Sequence, residues 1–149
     1  MNQTLGMYQQ MGNEAFSKAV SNFAPYFSTI APMFTELRPG YAEVKFVNRR
    51  EVHNHLGTVH AIALCNAAEL AAGTMTTVSI PDGHQWIPVG MTVQYLAKAR
   101  TDMRVVADGA GVDWAANGNV DVPVDAYDTD GKKVFTARIT MNLRQGGAR

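Results

Sequence analysis

Residues 50 to 73 read REVHNHLGTVHAIALCNAAELAAG. Three histidines, His53, His55 and His60, and one amide, Asn54, lead into a run from Ala61 to Gly73 in which only Asn66 and Glu69 are polar. An isolated carboxylate in such company is costly to ionise unless it is hydrogen-bonded, paired or beside a solvent-lined cleft. Three roles fit Glu69. As a structural residue it faces a gap or pairs with an arginine. As a catalyst it serves as general base or nucleophile, since partial desolvation raises its affinity for protons in a site that excludes bulk water. As a metal ligand it would act with His53, His55 and His60, but these precede or open the helix and lack the i, i+4 pairing of a helical zinc motif. Cys65 reads as a small core side chain, because no cation near it in sequence favours a thiolate.

The element that carries Glu69 is a helix whose apolar residues occur all round the wheel, the pattern of a helix enclosed by other structure. Alanines at 61, 63, 67, 68, 71 and 72 keep it thin enough for a curled sheet to wrap it. Gly73 is expected to end it, at about 14 to 16 residues, where positive φ is easiest. Upstream, Leu5, Tyr8, Met11, Ala15, Phe16, Ala19, Val20 and Phe23 recur at three- and four-residue steps and predict an amphipathic helix. Pro25 suits the first turn of a second short helix that Pro32 or Arg38-Pro39-Gly40 limits, so residues 1–37 read as a helical extension.

Beyond Gly40 the period becomes two: Ala42, Val44 and Phe46 alternate with Glu43 and Lys45 in a first strand. Further strands are expected at 74–80, 86–97, 103–107, 120–126 and 135–143, with turns at 81–84 and at Asp130-Gly131. Ile87, Val89, Met91, Val93 and Tyr95 are placed on one face of the long third strand, and a strand of that length has to bend around something. Pro123 is uncomfortable in a central strand unless a bulge or an unpaired N–H position accommodates it. The chain thus reads as one α+β domain, 1–149, with its core at 41–143: a curved antiparallel sheet of about six strands around a long central helix.

With 149 residues, 46% of them hydrophobic, and 13 basic against 13 acidic side chains, the chain has the composition of one globular domain with no field to concentrate a polyanion. Lys18 is the one lysine or arginine before Arg38, which argues against a DNA-reading N-terminal helix. One cysteine makes no internal disulfide, and MNQTLGMYQQ has neither a basic nor an apolar signal region, so the default compartment is the cytoplasm. No window approaches the ~18 consecutive apolar residues of a membrane span, so no membrane partner is expected.

HNHLGTVHAIALCNAAELAAG resembles the helix-entry segment of hotdog-fold acyl-CoA thioesterases, especially the phenylacetyl-CoA and 4-hydroxybenzoyl-CoA branches. Their pattern is Asn, Gly, His-Gly-Gly and an acid eight residues after the first glycine of that pair. Asn54, Gly57 and His60 stand at the matching positions, and Glu69 falls eight residues after Ala61. The chain departs from the pattern at Ala61-Ile62, in place of Gly-Gly, and at Pro88, where some relatives carry a serine or threonine that positions water.

The resemblance implies a hotdog fold that dimerises, or assembles further into a tetramer, with sites across the interface. It implies thioester hydrolysis of an acyl-CoA to free acid and CoA, without a metal or an organic cofactor. The oxyanion would meet the helix-start amides around His60 and Ala61, Asn54 would orient water or the carbonyl, and Glu69 would act as base or nucleophile. His60 fits equally a residue that bonds the backbone at the helix start. Arg49, Arg50, Lys98 and Arg100 are candidate contacts for the CoA phosphates. Two other readings use the same fold: an acyl-CoA or fatty-acyl binding protein without turnover, and a hydratase, which would need an aspartate where His55 stands.

Overall fold

A computed structural model describes residues 2–146; Met1 and residues 147–149, the outer limits of the expected domain, lie outside the described residues. The elements are α1 (Gln3–Phe23), a 3-10 segment at Pro25–Ile30, β1 (Met33–Arg38), β2 (Tyr41–Phe46), a short 3-10 turn at Arg50–Val52, α2 (Ala61–Ser79), β3 (Gln85–Tyr95), β4 (Met103–Asp108), β5 (Gly118–Tyr127) and β6 (Lys133–Arg144). The strands form one antiparallel sheet in the order β1-β2-β4-β5-β6-β3, and α2 touches all six. This is the expected hotdog arrangement.

The thin helix is what allows it. Ala67, Ala68, Ala71 and Ala72 are fully buried in one core cluster with Val44, Val105, Val124 and Ile139 of the sheet. A larger side chain at any of these alanines would cost about 1–3 kcal/mol in overpacking. By length and composition α2 is apolar enough to cross a membrane, but in this chain the sheet covers most of it.

Two elements correct the sequence reading. Residues 74–80 are not a strand, and Gly73 does not end the helix: α2 runs 19 residues, to Ser79. Its threonines and Val78 have strand propensity, but here the hydroxyls of Thr76, Thr77 and Ser79 bond back to the preceding turn. Thr76 Oγ1 donates to Ala72 O (2.7 Å), Thr77 Oγ1 to Gly73 O (3.1 Å) and Ser79 Oγ to Met75 O (2.6 Å). That local satisfaction, with burial of Met75, Thr76 and Val78, overrides propensity.

The helical extension stops at Ile30, and Met33–Arg38 is a strand. A register shift between Phe34 and Glu36 hides its period of two. Pro39 and Gly40 are not a helix stop but a hairpin turn, with Gly40 at φ 80° and Arg38 paired to Tyr41.

A second bulge, between Pro88 and Gly90, splits the face assigned to the third strand. Trp86 opposes Leu143, and Met91 and Val93 oppose Ile139 and Ala137, all toward the core side, whereas Ile87 opposes Asn142. Ile87 and Val89 are accordingly exposed. Pro123 is tolerated because β4 pairs with β5 only from Val124 to Tyr127, so the proline lies just beyond that ladder.

The two sheet edges differ. On β1, Ser17 of α1 is buried, donates to Asn13 O (2.6 Å) and accepts from Phe34 N (2.8 Å), which ties the helix to the strand. Tyr8, Phe16 and Phe34 extend that contact as edge-to-face rings. The 11-residue β3 pairs only with β6, and its outer edge has no neighbour among the described residues.

Candidate active site

α2 is capped by His60, whose extended backbone (φ −65°, ψ 136°) precedes the first turn. His60 Nδ1 accepts from Ile62 N at 3.0 Å, so the neutral ring carries its proton on Nε2. His60 N donates to Val52 O (2.7 Å), while Ala63 N and Leu64 N donate to His60 O (3.0 and 3.3 Å). The Ala61 N–H is left as the helix-start amide without a partner among the described residues. It lies at the positive end of the helix dipole and is available to an anion.

Asn54 and Gly57 build the loop that delivers His60. Asn54 Oδ1 accepts from Leu56 N (2.9 Å) and Thr58 N (3.1 Å), and Nδ2 donates to Thr58 Oγ1 (2.8 Å). Gly57 N closes the turn on Asn54 O at 3.1 Å. The Asn54 amide, expected to hold water or a carbonyl, spends its acceptor on this loop and keeps one Nδ2 hydrogen. Val59 is anchored by donating to Ala99 O (2.8 Å). Around the helix start, His60, Ile62, Asn66, Thr29 and Tyr26 line a cleft of about 360 Å³.

Glu69 lies elsewhere. It is half-buried and lines a second, largely apolar cleft of about 640 Å³, with Phe16, Val20 and Phe23 of α1, Leu70 of α2, and Trp86 and Pro88 of β3. It makes no hydrogen bond or ion pair with any described residue, so the structural reading of this acid as half of an internal salt bridge does not hold. The histidines do not join it: His53 Nε2 bonds Asn48 Oδ1 (2.6 Å), His60 caps α2, and among the described residues no three metal-binding side chains gather.

Eight residues of helix separate Ala61 from Glu69, about 12 Å along the axis. One thioester carbonyl therefore cannot meet both groups of the same chain.

Cys65 is partly buried on α2, and burial pushes its thiol pKa up, against smaller opposing effects from a hydrogen bond with Tyr95 and from backbone. It stays a thiol, in keeping with a packing role.

The four basic candidates come from adjoining loops. Asn48 Nδ2 donates to Arg100 O (3.0 Å), which lays residues 48–50 beside 98–100. Arg50, Lys98 and Arg100 are exposed there. Arg49 is committed inward: Nη2 donates to Thr29 O (2.9 Å) and Nη1 pairs with Glu51 (3.3 Å).

Sequence reasoning assigned no role to Asn66 or Thr77, and gave Gly73 only that of a helix stop. Asn66 is buried, donates to Thr29 Oγ1 (3.1 Å), and its Oδ1 has no partner among the described residues. Glu69, Gly73 and Thr77 fall at i, i+4 and i+8 on one face of α2 and all line the larger cleft. That periodicity was available in the sequence, and assigning 74–80 to a strand concealed it.

The family described as "Domain of unknown function (DUF4442)" matches residues 12–143. No functionally curated protein matches the chain. Among solved structures, the structural-genomics protein APC5556 is 66% identical, with a TM-score of 0.89 over 97% of this chain and 98% of that one. A thioesterase family protein from Silicibacter pomeroyi is 19% identical, with a TM-score of 0.74 over 87% and 96% of the two chains. A thioesterase from Haemophilus influenzae is 13% identical, with a TM-score of 0.77 over 90% and 91%. At these last two identities the likeness is one of fold, and it bears out the expected fold class.

Proposed function

Since the chain belongs to the DUF4442 family and carries the hotdog fold, we propose that it is a thioesterase that hydrolyses acyl-CoA to free acid and CoA. The observation that carries this reading is an unpaired carboxylate, Glu69, in an apolar cleft of a helix whose first amide, Ala61 N–H, is also unpaired. The thioesterase names of two distant structures of the same fold support it.

In the proposed reaction Glu69 takes a proton from water, and the water oxygen bonds to the thioester carbon. The carbonyl electrons move to oxygen, where Ala61 N–H donates to the developing charge. Collapse breaks the C–S bond, and the CoA thiolate recovers the proton. Direct attack by Glu69 would instead form an acyl–glutamyl anhydride that water then opens. Arg50, Lys98 and Arg100 give the CoA phosphates an exposed basic surface, and no cofactor besides the CoA of the substrate is invoked.

The 12 Å between the two groups is spanned if one protomer supplies Glu69 and its partner supplies Ala61. An open β3 edge favours such a homodimer, because unpaired N–H and C=O groups along a long strand are a template for pairing with a second copy; a tetramer would be a further assembly of such dimers. The cytoplasm is the proposed compartment.

A second reading, acyl-CoA binding without turnover, is favoured by the commitment of the Asn54 amide to its own loop. A hydrolysis screen over acyl-CoAs of varied chain, with Glu69→Ala and Asn54→Ala alongside, separates the two. Turnover that Glu69→Ala removes while binding persists supports the enzyme; tight binding by the wild type without turnover supports the binding protein.

A further inference from the structure

We propose that Trp86 limits the length of the acyl group, and that the acyl tail runs from Glu69 toward the C-terminal end of α2, beneath α1. This rests on the acyl-CoA reading above and goes beyond it in assigning direction and specificity. Glu69 is the one charged residue among those that line the larger cleft, so the group it accepts is apolar. Four residues on, about 6 Å along the helix, Gly73 meets the benzo edge of Trp86. A Cβ built on Gly73 would lie 2.9 Å from Trp86 Cη2 and 3.4 Å from Cζ2. Glycine at this position is what lets the indole seat against α2.

The far end is closed at Thr77. Its Oγ1 accepts from Trp86 Nε1 (2.9 Å) and donates to Gly73 O (3.1 Å), and its carbonyl accepts from Asn2 Nδ2 (2.8 Å). The indole is thereby held in place, and the start of α1, which Asn2 caps, is fastened over the same end. Met7, Phe16 and Val20 of α1 line the side opposite α2. Glu69 thus stands at one end of an apolar passage and a bonded tryptophan blocks the other.

Two substitutions should move the limit in opposite directions. Trp86→Ala removes the wall and admits longer chains. Gly73→Ala, favourable for a helix in itself, drives the indole across the cleft toward α1 and admits only shorter ones. The experiment measures kcat/KM for straight-chain acyl-CoAs of rising length and, separately, affinity for the free fatty acids of the same lengths, in the full chain.

The wild type should fall by about tenfold or more per step beyond its limit, with the limit raised in Trp86→Ala and lowered in Gly73→Ala in both series. Identical length profiles in all three proteins would overturn the proposal and leave hydrolysis standing. Shifted fatty-acid profiles with no turnover in the wild type would keep the length limit and remove the thioesterase. If Trp86→Ala does not fold, the Gly73→Ala shift and Trp86→Phe, expected to raise the limit less, decide the matter.

Discussion

Ala61 and Glu69 belong to one helix and, two turns apart, face separate problems of hydrogen bonding: among the described residues the first has an amide with nothing to donate to, the second a carboxylate with nothing to accept from. In the proposed hydrolysis a thioester carbonyl needs both at once, and the proposed pairing is therefore made between chains.

A mixed-dimer experiment tests that directly. Ala61 is the first helical residue, and His60 before it is already extended, so Ala61→Pro removes the N–H without breaking a helical bond. Ala61→Pro and Glu69→Gln should each lower kcat by about 10²-fold or more. Co-expressed, the two should form heterodimers with one intact site and one doubly defective site. Recovery of roughly half the wild-type activity per heterodimer is expected for this stoichiometry; no recovery would mean that the groups do not act across an interface.

Oxygen-18 separates the two chemical roles of Glu69. A single turnover in labelled water should leave the label in the released acid if the carboxylate acts as base. Label found in Glu69, read by mass spectrometry of the peptide after repeated turnover, would mean that it attacks the carbonyl itself.

Cys65 should be dispensable. Burial raises its pKa, so alkylation at pH 7.5 is expected to be slower than for an exposed thiol. Cys65→Ala should keep kcat/KM within about twofold, since it leaves a side chain the helix already uses around it. A large loss of kcat at unchanged KM would contradict this.

Acid stability should depend on Glu43. Burial by itself raises its carboxyl, but hydrogen bonds from Thr35 and Arg104, with the Arg104 charge, hold it below the ordinary 4.5. Thr35 donates at 2.5 Å and Arg104 Nη1 at 3.0 Å. A carboxyl whose pKa is depressed on folding stabilises the fold at pH above 4.5, and the contribution is lost as pH falls through the lower folded value. Glu43→Gln should therefore cost about 1 kcal/mol at pH 7, discounted for the half-exposed arginine, and nothing once the wild-type carboxyl is protonated. Denaturant unfolding at pH 7 and pH 3 would show the difference closing; an equal difference at both would refute the linkage.

Much of the sheet was legible because alternation is a local property: β2, β4, β5 and β6 each keep buried residues two apart, as in Val105 and Ala107 or Ile139, Met141 and Leu143. Where a bulge shifts the phase, as at Phe34 and at Pro88, the pattern dissolves, and β1 was missed and the faces of β3 misassigned. The length of α2 was underestimated for a different reason. Thr74 to Val78 prefer strands in isolation, and only the enclosing sheet and the threonine bonds to the preceding turn make helix the cheaper state.

By itself the sequence determined a thin, apolar helix interrupted by one acid, and strands enough to wrap it, because residue size and periodicity act within a few neighbours. Tertiary structure decided that the helix continues to Ser79, that Trp86 comes down on Gly73, and that Glu69 lines a different cleft from His60 and Ile62 at the helix start, facts that depend on where residues distant in the chain come to rest. They are properties of packing and of hydrogen-bond satisfaction across the fold, which no local pattern encodes.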